Sequence, residues 1–135
     1  MKEIKEFSGE ELSRLVVHGM LEKKAANIVV MDLRKVNNSI TDFFVICSGN
    51  TDTQIAAIAD SVDEEVFKAS KISPWHQEGR QNREWILIDY VDVVVHVFRK
   101  DRRKFYDLES LWGDAETTLI EESFEKEEPK QMLFE

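Results

Sequence analysis

The chain has 135 residues, 42% of them hydrophobic, which supplies one core and leaves too little for two. Its formal charge of −9 argues against a protein that must neutralise the phosphates of a nucleic-acid duplex. No apolar run approaches the ~20 residues that span a bilayer, and the acid-bearing start Met1-Lys2-Glu3-Ile4-Lys5-Glu6 lacks the apolar centre of a signal peptide. A cytoplasmic location is expected.

In chain order, Ser8-Gly9-Glu10-Glu11 has the pattern of a capping box, in which Ser8 caps an amide three residues on and Glu11 returns the bond. Leu12, Leu15, Val16 and Met20 then keep helical spacing, which predicts a first helix to about Lys24. Residues 27–33 are β-branched and predict a strand. A polar turn leads to a second strand over 43–48, and so short a link requires the two to pair antiparallel. Cys47, the only cysteine, lies in that second strand and reads as a buried thiol.

Ile55, Ile58, Ala59, Val62 and Val66 mark the buried stripe of a second helix, expected to reach about Ser70. Pro74 stops it, and residues 75–77 suit a short strand. Two apolar strands follow, over 85–90 and 92–98. A last helix is expected from about Asp101, with Phe105, Leu108, Leu111 and Trp112 on its apolar side. The predicted order is α-β-β-α-β-β-β-α, a small two-layer α/β domain with a mixed sheet over residues 1–115. From Glu116 to Glu135 there are seven Glu and two Lys, so −5 of the −9 lies there, and a flexible acidic tail is expected.

The last two strands carry the most information. With a two-residue turn at Tyr90-Val91, Asp89 would face Asp92, Leu87 would face Val94 and Trp85 would face His96. Ile86, Ile88, Val93, Val95 and Val97 would form the opposite, wholly apolar face, which must be core. The first face mixes aromatic, acidic and imidazole groups. It suits a protein-binding surface, or a partly buried layer under the last helix with Trp85 in it. Val91 is a poor residue for a turn that favours positive φ, and a slip of one residue would exchange the two faces.

Other chemistry has thinner support. Ser48-Gly49-Asn50-Thr51-Asp52, between a strand and a helix, could hold an anion, but it lacks the lysine of a P-loop and suits a helix cap. Asp89 and Asp92 could hold Mg²⁺ in a divergent nucleotidyltransferase, though no Gly-Ser turn precedes them. His76 and His96 could meet across neighbouring strands and, with Asp92, bind a metal. A homodimer through the mixed face is a further alternative. No catalytic residue, cofactor or metal is expected.

Four blocks carry a family resemblance: Ile40-Thr41-Asp42-Phe43-Phe44-Val45-Ile46-Cys47-Ser48-Gly49; Trp85-Ile86-Leu87-Ile88-Asp89-Tyr90; Asp92-Val93-Val94-Val95-His96-Val97-Phe98; and Tyr106-Asp107-Leu108-Glu109-Ser110-Leu111-Trp112-Gly113-Asp114-Ala115. In that order they resemble the ribosome-silencing factors (RsfS, also called Iojap-like), departing at Val91, where the family generally has Gly. The resemblance implies a nucleotidyltransferase-like fold without transferase activity. It also implies binding to the fourteenth protein of the large ribosomal subunit at the face that meets the small subunit, which blocks joining and lowers translation when nutrients are scarce. Asp42, Trp85, Asp89, Asp92, His96, Tyr106 and Trp112 match family motifs and are the partner-binding residues it implies.

Overall fold

A computed structural model describes residues 7–120. Helix α1 (Gly9–Glu22) opens on the expected capping box, with the Ser8 hydroxyl accepting from the Glu11 amide and the Glu11 carboxylate accepting from the Ser8 amide. Strands β1 (Ala26–Asp32) and β2 (Phe43–Gly49) pair antiparallel, as the short link between them requires. Helix α2 (Asp52–Ser70) follows, capped by the Thr51 hydroxyl on the Gln54 amide. The 48–52 segment is therefore a strand end and a helix cap.

The chain continues through β3 (His76–Glu78), β4 (Trp85–Asp89) and β5 (Val93–Arg99). These strands and a sixth, β6 (Glu116–Leu119), make one sheet in the order β3-β4-β5-β2-β1-β6. Among the described strands only β2 and β5 run parallel, and the connection between them passes through α2. Every residue of β2 is buried, as suits a strand covered on both faces.

Alternation along the strands divides the core in two. Val45, Cys47, Ile86, Ile88, Val93, Val95 and Val97 point to α1 and α2, where they meet Val16, Met20, Ile55, Ile58 and Val62. The two helices lie close: a Cβ added to Gly19 would stand 2.7 Å from the Val62 Cα, and the Ser61 hydroxyl donates to the Gly19 carbonyl at 2.8 Å. Val29, Met31, Phe44, Ile46, Val94 and Phe98 point the other way, into a thinner second cluster.

Two expectations are corrected. The last helix is broken into α3 (Lys100–Tyr106) and α4 (Leu108–Leu111), because Asp107 takes a left-handed conformation (φ 45°). The break turns Leu108 into the second cluster and leaves Phe105 and Leu111 69% and 70% exposed, off the apolar side expected of one continuous helix. The fold also continues past Ala115. Glu116–Leu119 pair with β1 and Ile120 is buried, whereas the flexible tail was expected from Glu116. All four β6 residues are exposed, so the strand has no apolar alternation and is held by backbone bonds to the β1 edge. The rest of the expected tail, 121–135, lies outside the described residues.

Candidate functional site: an aromatic face with acids at one end

The β4–β5 hairpin turns at Val91-Asp92, one residue later than the sequence suggests. Tyr90 pairs with Val93 through its amide, Asp89 faces Val94, Leu87 faces His96 and Trp85 faces Phe98. A turn displaced by one residue shifts each pairing by two, so the parity is kept and the two faces hold the residues assigned to them. The facing pair Asp89–Asp92 does not exist; Asp92 stands in the turn, exposed.

The turn is stitched down. Val91 has φ 78°, its amide donates to Asp89 Oδ1 at 2.7 Å, and its carbonyl accepts from the Thr41 hydroxyl at 2.7 Å. The Asp92 carbonyl accepts from the amides of Asp42 and Phe43. These bonds gather Asp42, Asp89 and Asp92 at one end of the sheet. Asp42 and Asp92 are exposed; Asp89 is half-buried because it caps the turn.

Along the same face, aromatic rings form a continuous cluster. Trp85 stacks on Phe98 with centroids 4.9 Å apart and meets Tyr106 at 4.5 Å. Phe44 joins His96 at 4.6 Å to Trp112 at 5.9 Å, both edge to face. Trp85, Tyr106, Trp112 and Leu87 are half-buried, so the last two helices cover this face only in part. Phe105, in edge contact with Tyr106 at 5.1 Å, extends the apolar surface outward, and Leu111, next to Trp112 in the chain, is exposed. Helical spacing placed both in the core, and nothing in the sequence marks the break at Asp107 that exposes them.

His96 sits differently from its expected role. It is 3% exposed, and its Nδ1 accepts the Trp85 indole N–H at 3.0 Å. Indole is only a donor, so the ring proton must be on Nε2, which is buried and unpaired. Burial lowers the His96 pKa from the usual 6.5 to about 3, so the imidazole is neutral. It positions Trp85 from beneath and does not itself present a surface.

The metal site considered across His76, His96 and Asp92 is not formed. β4 lies between β3 and β5, His76 pairs with Glu78 at 2.7 Å, and the described residues contain no cluster of three metal-ligating groups. No described helix is long and apolar enough to cross a membrane.

Residues 6–133 match the family described as "Ribosomal silencing factor during starvation". The chain belongs to the ribosomal silencing factor family. It is 43% identical to the ribosomal silencing factor RsfS of Halalkalibacterium halodurans, over 85% of this chain and 97% of that relative. The silencing factor of Bacillus subtilis is also 43% identical, over 70% of this chain and 78% of its own length. An X-ray crystal structure of a Chromobacterium violaceum protein shares the fold with a TM-score of 0.74 and 32% identity, covering 79% of this chain and 88% of that one. Relatives named for ribosome silencing thus share nearly the whole of the domain that carries the aromatic face.

Proposed function

We propose that the protein silences ribosomes by occupying a surface. The face bearing Trp85, Tyr106 and Trp112 docks on the fourteenth protein of the large subunit, at the side that meets the small subunit. The bound domain then blocks joining by its bulk and lowers translation when nutrients are limiting, in the cytoplasm and without a catalytic step or cofactor. The observation that carries this reading is a half-open aromatic layer ending in three carboxylates, in a chain whose relatives are named for silencing ribosomes.

The division of labour follows from burial. Trp85, Tyr106 and Trp112 are rigid apolar anchors that lose their remaining exposure on docking, with Leu111 beside them. Asp42 and Asp92 are exposed and suited to basic groups on the partner, setting orientation and on-rate more than affinity. Asp89 shares in that charge while capping the turn, and His96 fixes the Trp85 ring from below.

Cosedimentation with purified large subunits tests the ranking. Trp85→Ala should weaken binding by about 30-fold or more, the loss expected of a central anchor, and Leu111→Ser should weaken it without disturbing the core. Asp92→Ala should cost less than either and mainly reduce the salt dependence. Equal losses at all three positions, or a larger loss at Asp92, would refute the assignment.

A further inference from the structure

Asp42, Asp89 and Asp92 stand at one end of the sheet. At the other end β1 begins, β2, β5 and β6 finish, and Lys23, Lys24, Lys100 and Lys104 are all exposed. None of these four lysines has an ion-pair partner among the described residues. Between α3 and the β1–β6 edge lies an open groove of about 610 Å³, lined by Asn27, Ser48, Lys100, Arg103 and Lys104 among others.

Arg103 forms the floor. A bulge near the start of β1 puts Asn27 at φ 50°, and its carbonyl accepts from Arg103 Nη1 at 2.6 Å. The same nitrogen donates to the Ser48 hydroxyl at 2.9 Å, and Nη2 pairs with Glu109 at 2.7 Å. Glu109 offsets Arg103 and Asp107 is a second acid on the groove wall, so the free positive charge is that of the lysines.

The chain leaves the described fold at this groove. Leu119 pairs with Val29, and the Ile120 amide donates to the Ile28 carbonyl at 2.9 Å. Ile120 itself lines the groove, together with Asn27 and Arg103. The sequence that follows is Glu121-Glu122-Ser123-Phe124-Glu125-Lys126-Glu127-Glu128. At ~3.3 Å per residue these residues can reach ~26 Å, against ~10 Å for the length of α3.

We propose that the acidic segment 121–128 docks in cis on this groove, its glutamates against Lys100 and Lys104, and so screens the basic end of the domain from other anionic partners. The most acidic stretch of the sequence begins directly after Ile120, which lines the groove with Lys100 and Lys104, and the short connection gives it a high effective concentration there.

A nitroxide on Ser123→Cys in the full chain tests this, since Cys47 is fully buried and is not labelled under native conditions. At low salt the amides of Asn27, Ser48 and α3 should broaden, whereas Val91, at the far end of the sheet, should not. The broadening should be lost in Lys100→Glu/Lys104→Glu, whose exposed side chains leave the fold unaffected, and in high salt. Absence of broadening at α3, or its persistence in the charge-reversed variant, would overturn the proposal. So would broadening of an isotope-labelled, spin-free copy by a spin-labelled one, which would place the contact between molecules.

Discussion

The indole of Trp85 donates to Nδ1 of His96 at 3.0 Å, across a hairpin in which the two residues are not directly opposed. The bond joins a half-exposed ring to a buried one, so the orientation of the surface anchor is set by a neutral imidazole in the core. Trp85→Phe keeps the stacking on Phe98 but leaves Nδ1 buried without a donor. It should cost about 1–3 kcal/mol in urea unfolding, and a double-mutant cycle with His96→Phe should show a coupling of about 1 kcal/mol. Full additivity would contradict the bond.

Stability should fall on mild acidification because of His96. Burial depresses its folded pKa to about 3 from 6.5, so the unfolded chain binds the proton first. The stabilisation is complete above about pH 6.5 and is lost as pH falls towards 3, at up to about 1.4 kcal/mol per pH unit. The carboxyls of Asp32 and Asp101, held below the usual 3.8 by hydrogen bonds from Arg34 and Arg99, act lower. Urea unfolding between pH 6 and 4.5 should therefore show a steeper slope in the wild type than in His96→Gln. Equal slopes would rule out a buried neutral histidine.

Val91 occupies a left-handed position that β-branched residues resist, held there by Asp89 and Thr41. Val91→Gly should relieve more strain than the unfolded chain gains in entropy, raising stability by about 0.5–1 kcal/mol. A lower urea midpoint would mean that the valine side chain stabilises the turn.

Gly19→Ala should act in the opposite direction. The added methyl would lie 2.7 Å from the Val62 Cα, a backbone atom that yields only if α1 and α2 separate. A loss of about 2 kcal/mol is expected, measured as a drop in melting temperature. An unchanged melting temperature would show that the helices can part freely.

Much of the fold could be read from local pattern. The capping box at Ser8 and Glu11, the stripe from Ile55 to Val66 and the alternation in β4 and β5 each depend on neighbours close in sequence, and each stands as expected. The faces of the hairpin survived a misplaced turn because pairing shifted by two. The turn itself was missed because tertiary bonds from Thr41, Asp42 and Phe43 hold a valine where local preference disfavours one. Asp107 breaks the last helix because Tyr106 packs on Trp85 and Leu108 in the second cluster, contacts distant in sequence. β6 has no apolar alternation to read, since it needs only the open edge of β1. Within the site, the sequence pointed to the aromatic and acidic residues but could not separate His96, which supports, from Trp85, which is presented.

Subunit joining tests the central claim most directly. Purified small and large subunits, combined with increasing protein and resolved on a sucrose gradient, should give a diminishing joined-ribosome peak and free subunits in proportion. Leu111→Ser should restore joining at the same concentration. An undiminished joined peak at saturating protein would contradict silencing by occupation of the intersubunit face.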